Sequence, residues 1–355
     1  MTSKERIKNI LARKNTDRIG LFEEFWTDTQ AAWNGHFDND GTIILPNHAL
    51  DMEKGWAFNF IANVDFAPVQ VGETDDTVIL LDGNGATLRQ HKHHVTTPEH
   101  VSFRCDNQDV WLDEYKSMLK LTENRIDWGG YDVKVRRSRA HDSFLMCSSW
   151  NVFQNIVNLC GHENLLMAMA LTPKWVHDMV ATYSELAINL HEELFAKCGL
   201  PDGIYLMDDL GYKHRMFMSA DMFREFIKPA YVRICSFAKS LNLPVLFHSC
   251  GYVEPIVSDL IDAGIDCLTA MEVKAGMDVV RLFHSYGDRL SFMGGIDTRV
   301  LSSNDQPAIE AELQSKIPVL KTGGYILSSD HSIPGDVTYE TYCFFAERGL
   351  ELGRR

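Results

Sequence analysis

The 355-residue chain lacks the features that mark several large protein classes. Nowhere does it hold the roughly 18 to 20 consecutive apolar residues that a bilayer-spanning helix needs. Its first residues, MTSKERIKNILARKN, contain no uninterrupted apolar core followed by a small-residue cleavage site. They read as an amphipathic helix with Ile7, Ile10 and Leu11 on one face, not as a signal peptide. Positive charge is also scarce: 34 Lys and Arg stand against 49 Asp and Glu, a formal net charge of −15. Such a surface repels phosphate backbones and anionic lipid, so neither nucleic acid nor a membrane is expected as a partner. The nearest basic patch, Lys134–Arg139, is short and alternating and reads as a solvated strand or loop. The eight cysteines are scattered without the dense spacing of a disulfide scaffold, which fits a reducing cytoplasm. No GxGxxG follows a strand into a helix, and no GxxxxGK runs on to Ser or Thr, which removes the main signals of a dinucleotide or P-loop site.

What the chain does have is apolar residues, 45% of the total, enough for a large core. After the N-terminal helix, Ile19–Trp26 reads as a first strand. Residues 55–105 are rich in aromatic and β-branched residues, with turn signals at Asp82-Gly83 and Asn84-Gly85, and predict an inserted β-hairpin or lid. From Ser143 onward, short apolar runs alternate with longer periodic segments. SFLMCSSW precedes a helix at about 152–168, GIYLMDD one at 219–240 and PVLFHSC one at 252–262. CLTAME, LSFMGGID and GYILSSD then precede helices at about 277–287, 306–320 and 338–352. Continuous apolar strands of this kind belong to a buried parallel sheet. Six strands after residue 140 and two before it predict a (β/α)8 TIM barrel, one domain over residues 1–355 with an N-terminal helical segment and the inserted hairpin.

In such a barrel, chemistry sits at the C-terminal ends of the strands. Those ends carry Glu23, Glu24 and Trp26; Trp150; Asp208 and Asp209; His248 and Cys250; Glu272; Asp297; and Asp330 with His331. The His248/Cys250 pair closes LPVLFHSCG, and imidazole and thiolate are zinc ligands. A capped strand end with a buried thiol is the competing reading. His331, on the eighth strand, would face the pair across the mouth, or serve only as a hydrogen-bonded loop residue. Asp208 and Asp297 equally suit capping of the helices that follow them. Phe22, Phe25, Trp26 and Trp150 would suit an apolar or aromatic substrate, or simply the core. His91, His93 and His94 have the alternation of an exposed strand and do not converge.

Several segments resemble a known family. HSCGYVEPIVSDLIDAGIDCLTAMEVKAGMDV, YGDRLSFMGGIDTRVL and GGYILSSDHSIPGDV are similar to the uroporphyrinogen decarboxylase-like superfamily, as are DDLGYKHRMFMSADMFREFIKPAY, CGHENLLMAM and, in one bacterial branch, NGATLRQHKHHVTTPEH. The resemblance implies a (β/α)8 barrel. Where the decarboxylase itself carries arginines for its porphyrinogen carboxylates, this chain has the acidic, aromatic IGLFEEFWTDTQAAW. The closer resemblance is to the corrinoid-linked methyltransferases, in particular the O-demethylase component, whose His-x-Cys zinc pair matches His248 and Cys250. A further cysteine of that branch is replaced here by His331. This implies zinc on His248, Cys250 and His331, with a carboxylate from Asp209, Glu272, Glu24 or Glu163. Asp209, Glu272 and His331 would act in the reaction, and Phe22, Glu24, Trp26, Trp150 and Asp208 would hold the substrate. The implied partners are a methoxylated aromatic or similar methyl donor, a separate corrinoid protein bearing Co(I), and a second copy of the chain in a homodimer. A metal-free lyase using Asp208 or Asp209 with His331 on a smaller substrate, and a non-catalytic binding barrel, are the alternatives.

Overall fold

The computed structural model describes residues 1–38, 41–93 and 97–355. Eight parallel strands form the barrel: β1 Gly20–Leu21, β2 Met52–Trp56, β3 Phe144–Trp150, β4 Gly203–Met207, β5 Val245–His248, β6 Cys267–Thr269, β7 Ser291–Met293 and β8 Tyr325–Leu327. Each strand from β2 to β8 is hydrogen-bonded to the next, and β8 pairs with β1. Alternation along the strands separates two cores. Met52, Met146, Tyr205, Leu246, Cys267 and Ile326 point into the barrel. Leu145, Ile204, Phe247 and Phe292 point outward onto the helices. The N-terminal helix Ser3–Leu11 plugs the bottom, with Ile7 and Ile10 fully buried among the inward residues. Gly20 is required there, since a Cβ would stand 2.6 Å from Ile7 Cδ1.

The seam between β1 and β2 is closed by one aspartate. Asp51 donates its N–H to Leu21 O at 2.8 Å, and its Oδ2 accepts the Leu21 N–H at 2.8 Å. Its own carbonyl accepts the Phe144 N–H at 2.9 Å, so the residue joins β1 to β3 across the start of β2. The carboxylate is fully buried and meets Arg6 and Arg18, each at 2.7 Å. The expected strand 19–26 is shorter than predicted because the ladder stops once Glu23 takes the Ser329 N–H with its side chain. Phe25 then makes a single bridge to Ile333.

Three other expectations change. The inserted hairpin is a four-stranded antiparallel sheet, Val69–Glu73, Thr77–Leu81, Ala86–His91 and Glu99–Phe103. It packs on the helix Val152–Leu171, which kinks at Gly161, where Phe103 leaves no room for a Cβ. Lys134–Arg139 lies in a helix, Trp128–His141, and its Lys134 and Arg137 pair with Glu53 on the outer face of β2. Between β3 and β4 run two helices, Val152–Leu171 and Pro173–Cys198, where one was expected; Thr172-Pro173 marks the break. Among the described residues no helix is long and apolar enough to cross a membrane.

An Asp51→Asn protein should lose about 3–5 kcal/mol of unfolding free energy, because Arg6 and Arg18 would keep a buried site without its countercharge. The drop should be read from the urea midpoint at constant slope. A midpoint within error of the wild type would show that the seam holds without the carboxylate.

Candidate active site

Inward positions at the C-terminal ends of the strands line one cavity of about 230 Å³. Lys54 and Trp56 come from β2, Trp150 from β3, Tyr205 and Met207 from β4, His248 from β5, Thr269 from β6 and Met293 from β7. Phe22, Glu23, Glu24 and Trp26, which follow β1, complete the wall with Ser328, Ser329 and His331, which follow β8. Thr97 of the inserted segment reaches the rim.

On the β4–β5 side the wall carries metal-ligand chemistry. The His248 ring has its Nδ1 at 3.4 Å from the Tyr205 hydroxyl, which leaves Nε2 facing Cys250 Sγ at 3.4 Å. A partner on one ring nitrogen fixes which nitrogen is offered to an ion. Asp209 Oδ1 lies 3.8 Å from the same Nε2 and accepts the Cys250 N–H at 3.0 Å. One donor atom from each of Asp209, His248 and Cys250 therefore falls within 4.8 Å of the other two. An O, N and S set from three residues suits a zinc ion with a fourth, exchangeable position. Burial pushes the imidazole pKa down, which keeps it in the neutral form that binds metal. Burial, with Asp209 and Glu272 adding, pushes the Cys250 thiol up, so in the absence of a cation this sulfur is not a nucleophilic thiolate.

Two glycines bring this set together. Gly251 has φ +77°, and a Cβ on it would lie 2.1 Å from the Gly211 carbonyl carbon. Gly211 is equally confined, with Tyr252 N at 2.5 Å from its would-be Cβ. The loops after β4 and β5 thus pack backbone to backbone, joined by Tyr252 N–H to Tyr212 O at 3.0 Å, and Asp209 is delivered beside Cys250.

The opposite side is built differently. Lys54 Nζ sits 2.6 Å from Glu24 Oε1 and over the rings of Tyr205 and Trp56, at 4.7 and 4.8 Å from their centroids. Burial alone would raise the Glu24 carboxyl, but Lys54, with His248 and His331 adding, holds it below the usual value. Among the described residues Glu23 has no such cation within ion-pair distance. Burial pushes its carboxyl up to about 8 although Ser329 N–H, Ser329 Oγ and Ser328 Oγ all bond it.

Residues 145–349, more than half of the chain, match the family described as uroporphyrinogen decarboxylase (URO-D). The chain belongs to the URO-D family. A segment of 81 residues is 36% identical to the methylcobamide:CoM methyltransferase MtaA of Methanosarcina barkeri; it spans 23% of this chain and 22% of that protein. The solved structure of a methyltransferase from Methanosarcina mazei superposes with a TM-score of 0.66 over 99% of both chains at 17% identity, a likeness of fold.

Within this URO-D barrel the expected site residues separate into three groups. His248 and Cys250 lie together as expected, with Asp209 as the carboxylate. Phe22, Glu24, Trp26 and Trp150 line the cavity. Others are elsewhere. His331 is on the cavity wall but outside the three-donor cluster, its ring stacked on Trp26 at 5.9 Å. Glu272 is off the wall; it accepts the Gly251 N–H at 2.5 Å and pairs with Lys274, so it braces the ligand loop. Asp208 points away from the cavity and caps the helix after β3, accepting the N–H groups of Phe153 and Gln154 and the Tyr231 hydroxyl, so it is not a substrate contact. Glu163 is exposed on that helix. Asp297 caps Thr298–Ser302 and pairs with Arg299. Asp330 ties the loops after β6 and β7 through Val273 N–H and Thr298 N–H. Phe25 packs on Trp33, Phe37 and Tyr342 in the outer core. His91 closes its strand as read, His93 follows it, and His94 lies outside the described residues. The residues missed from sequence are Lys54, Trp56 and Tyr205, which the register of β2 and β4 turns inward.

Gly251→Ala should cost about 1–3 kcal/mol of stability and weaken zinc affinity, measured by competition with a chromophoric chelator. Gly276→Ala is the control: its φ is also positive, at +100°, but no backbone atom crowds it, and zinc affinity should stay at the wild-type value. Equal zinc affinity in all three proteins would separate the glycine contact from the ligand set.

Proposed function

We propose that this URO-D family protein is a methyltransferase that takes a methyl group from a small methoxylated aromatic and passes it to the Co(I) of a corrinoid carried by a separate protein. The observation that carries the reading is the pairing of the Asp209–His248–Cys250 donor set with an aromatic-walled cavity of about 230 Å³. Zinc held by those three residues would supply Lewis acidity toward the ether oxygen, a poor leaving group when unassisted. Trp26, Trp150 and Phe22 would orient a single aromatic ring, and the exclusion of water by these faces would protect the strongly reducing acceptor. The name of the Methanosarcina barkeri relative, a methyltransferase acting on a methylcobamide, supports the reaction class.

Size and charge argue against a tetrapyrrole. Ligand pockets for drug-sized molecules run from about 300 to 1,000 Å³, and this one falls below that range. Lys54 is the one Lys or Arg in the described wall, and Glu24 already neutralises it. A polycarboxylate would therefore enter without a countercharge.

Protein purified without added metal should carry about one zinc per chain, and Cys250→Ala and Asp209→Asn should each lower that occupancy. With a reduced corrinoid protein and a panel of methoxyarenes, the wild type should form methylcobalt, seen as the loss of the Co(I) absorption. Trp150→Ala should raise KM for the aromatic donor roughly tenfold through lost ring contact. Zinc-free protein, combined with turnover of a carboxylated substrate to carbon dioxide, would instead establish a metal-free lyase.

A further inference from the structure

Glu23 is a second chemical group in the same cavity, and its burial away from any cation among the described residues defines its state. Ser329 Oγ has two oxygen neighbours: the His331 carbonyl, and Glu23 Oε1 at 2.7 Å. A carbonyl can only accept, and a hydroxyl has one proton to give. The Ser329 hydroxyl donates to Glu23 Oε1 and also lies against the His331 carbonyl, so its one proton is shared between two acceptors and stands between Glu23 and the cavity. Among the described residues no cation lies within ion-pair distance of Glu23, and the side chain is 5% exposed. The titratable groups facing it are Glu24 on its own segment, Tyr325 of β8 and Tyr342 of the helix Tyr339–Leu352. None of the three supplies positive charge, and Lys54 is committed to Glu24. A buried carboxyl in such surroundings keeps its proton, as its elevated pKa also indicates.

We propose that Glu23 is stored as a neutral carboxylic acid and supplies, through the Ser329 hydroxyl, the proton that the leaving oxygen of the methyl donor takes up. The inference rests on the methyl-transfer reading. Glu23 and Ser329 both line the cavity. As the methyl group departs, the cobalt electron pair forms the Co–C bond, Co(I) becoming Co(III), and the C–O bonding pair stays on oxygen. That oxygen then accepts better than the His331 carbonyl does. The Ser329 O–H breaks toward it while the Glu23 O–H breaks toward Ser329, so a neutral ether and a carboxylic acid become a neutral alcohol or phenol and a carboxylate. The carboxylate is reprotonated from solvent after product leaves. Glu23 is the acid and Ser329 the relay, a role typically worth about 10²- to 10⁴-fold in rate.

The test uses the full-length zinc-loaded protein, with Glu23→Gln and Ser329→Ala. Difference infrared spectra should show a protonated-carboxyl C=O band that titrates away with a midpoint near 8 and is absent in Glu23→Gln. Because burial raises the folded-state pKa above the ordinary value of about 4.5, the wild type should lose stability relative to Glu23→Gln as pH rises from about 4.5 through about 8. In turnover, Glu23→Gln should lose about 10²-fold or more with donors whose leaving group is a weakly acidic alcohol or phenol, and little with a nitro-activated methoxyarene. Ser329→Ala should follow the same gradient. A uniform loss across the panel overturns the proton step. An infrared spectrum with only carboxylate at neutral pH overturns the stored acid. Failure of the wild type to transfer methyl to Co(I) from any donor overturns the reading beneath both the relay and the acid's role, and the infrared band then reports the protonation of Glu23 alone.

Discussion

The closure of the barrel at Asp51 is the constraint on which the rest of the site depends. A two-residue β1 cannot make a full ladder with β2, and the carboxylate replaces the missing backbone bonds by accepting the Leu21 N–H. The cost of burying that charge is offset by Arg6 and Arg18, the first on the helix that plugs the barrel and the second on the segment leading into β1. One ionic knot thereby fixes the N-terminal helix, β1 and β2 in a single arrangement. The distance between Glu24 and Lys54, which follow β1 and Asp51 respectively, is a direct consequence of it.

From that frame the cavity acquires two unlike walls. On the β4–β5 side, loops cross with no side chain between Gly211 and Gly251, and the donors of Asp209, His248 and Cys250 converge. On the β1–β8 side, Glu23 is wrapped by Ser328 and Ser329 and, among the described residues, has no cation within ion-pair distance. On the reading proposed above, one set of groups would hold a positive ion and the other a proton. Such opposed environments for acidic groups are how a single site separates two chemical roles.

The amino-acid sequence carried the (β/α)8 architecture clearly because buried parallel strands are continuous apolar runs, and LPVLFHSCG is one of them. Their place at the end of such a run made His248 and Cys250 stand out, but the run left a capped strand end with a buried thiol equally open, and the zinc reading came from the resemblance of HSCG to the methyltransferase branch. Asp208 and Asp209 illustrate the limit. They are adjacent and chemically identical, and only the register of β4 decides that Asp208 turns out to cap a helix while Asp209 turns in. Lys54 was hidden because MEKGW reads as a polar, surface-like strand; its lysine is tolerable inside only because Glu24 meets it there. His331 and Glu272 depended on loop paths, which periodicity does not encode, and both ended close to the ligands without joining them. In the inserted segment both turn signals fall in the one turn at 82–85, whereas the turn Thr74–Thr77 is closed by threonine side chains that do not stand out in sequence.

The electrostatics of the two walls also bear on the kind of methyl donor. A quaternary ammonium or sulfonium donor carries positive charge and leaves as a neutral species, so it calls for free aromatic faces and anionic groups and for no proton. Here the Lys54 ammonium lies over the rings of Trp56 and Tyr205, and Phe22, Trp26 and Trp150 are the wall aromatics without that cation. Of the wall carboxylates, Glu24 is paired to that same lysine, Asp209 lies with His248 and Cys250, and Glu23 is the one proposed to stay neutral. An ether is the reverse case: it arrives neutral and leaves a negative oxygen, which needs a cation or a proton at the moment of bond cleavage. With Lys54 saturated, the metal-ligand wall and the acid of Glu23 are the groups able to meet that charge. On the methyl-transfer reading proposed above, the sign of the charge that develops would favour a neutral ether over an onium donor, independently of how well either fits the volume.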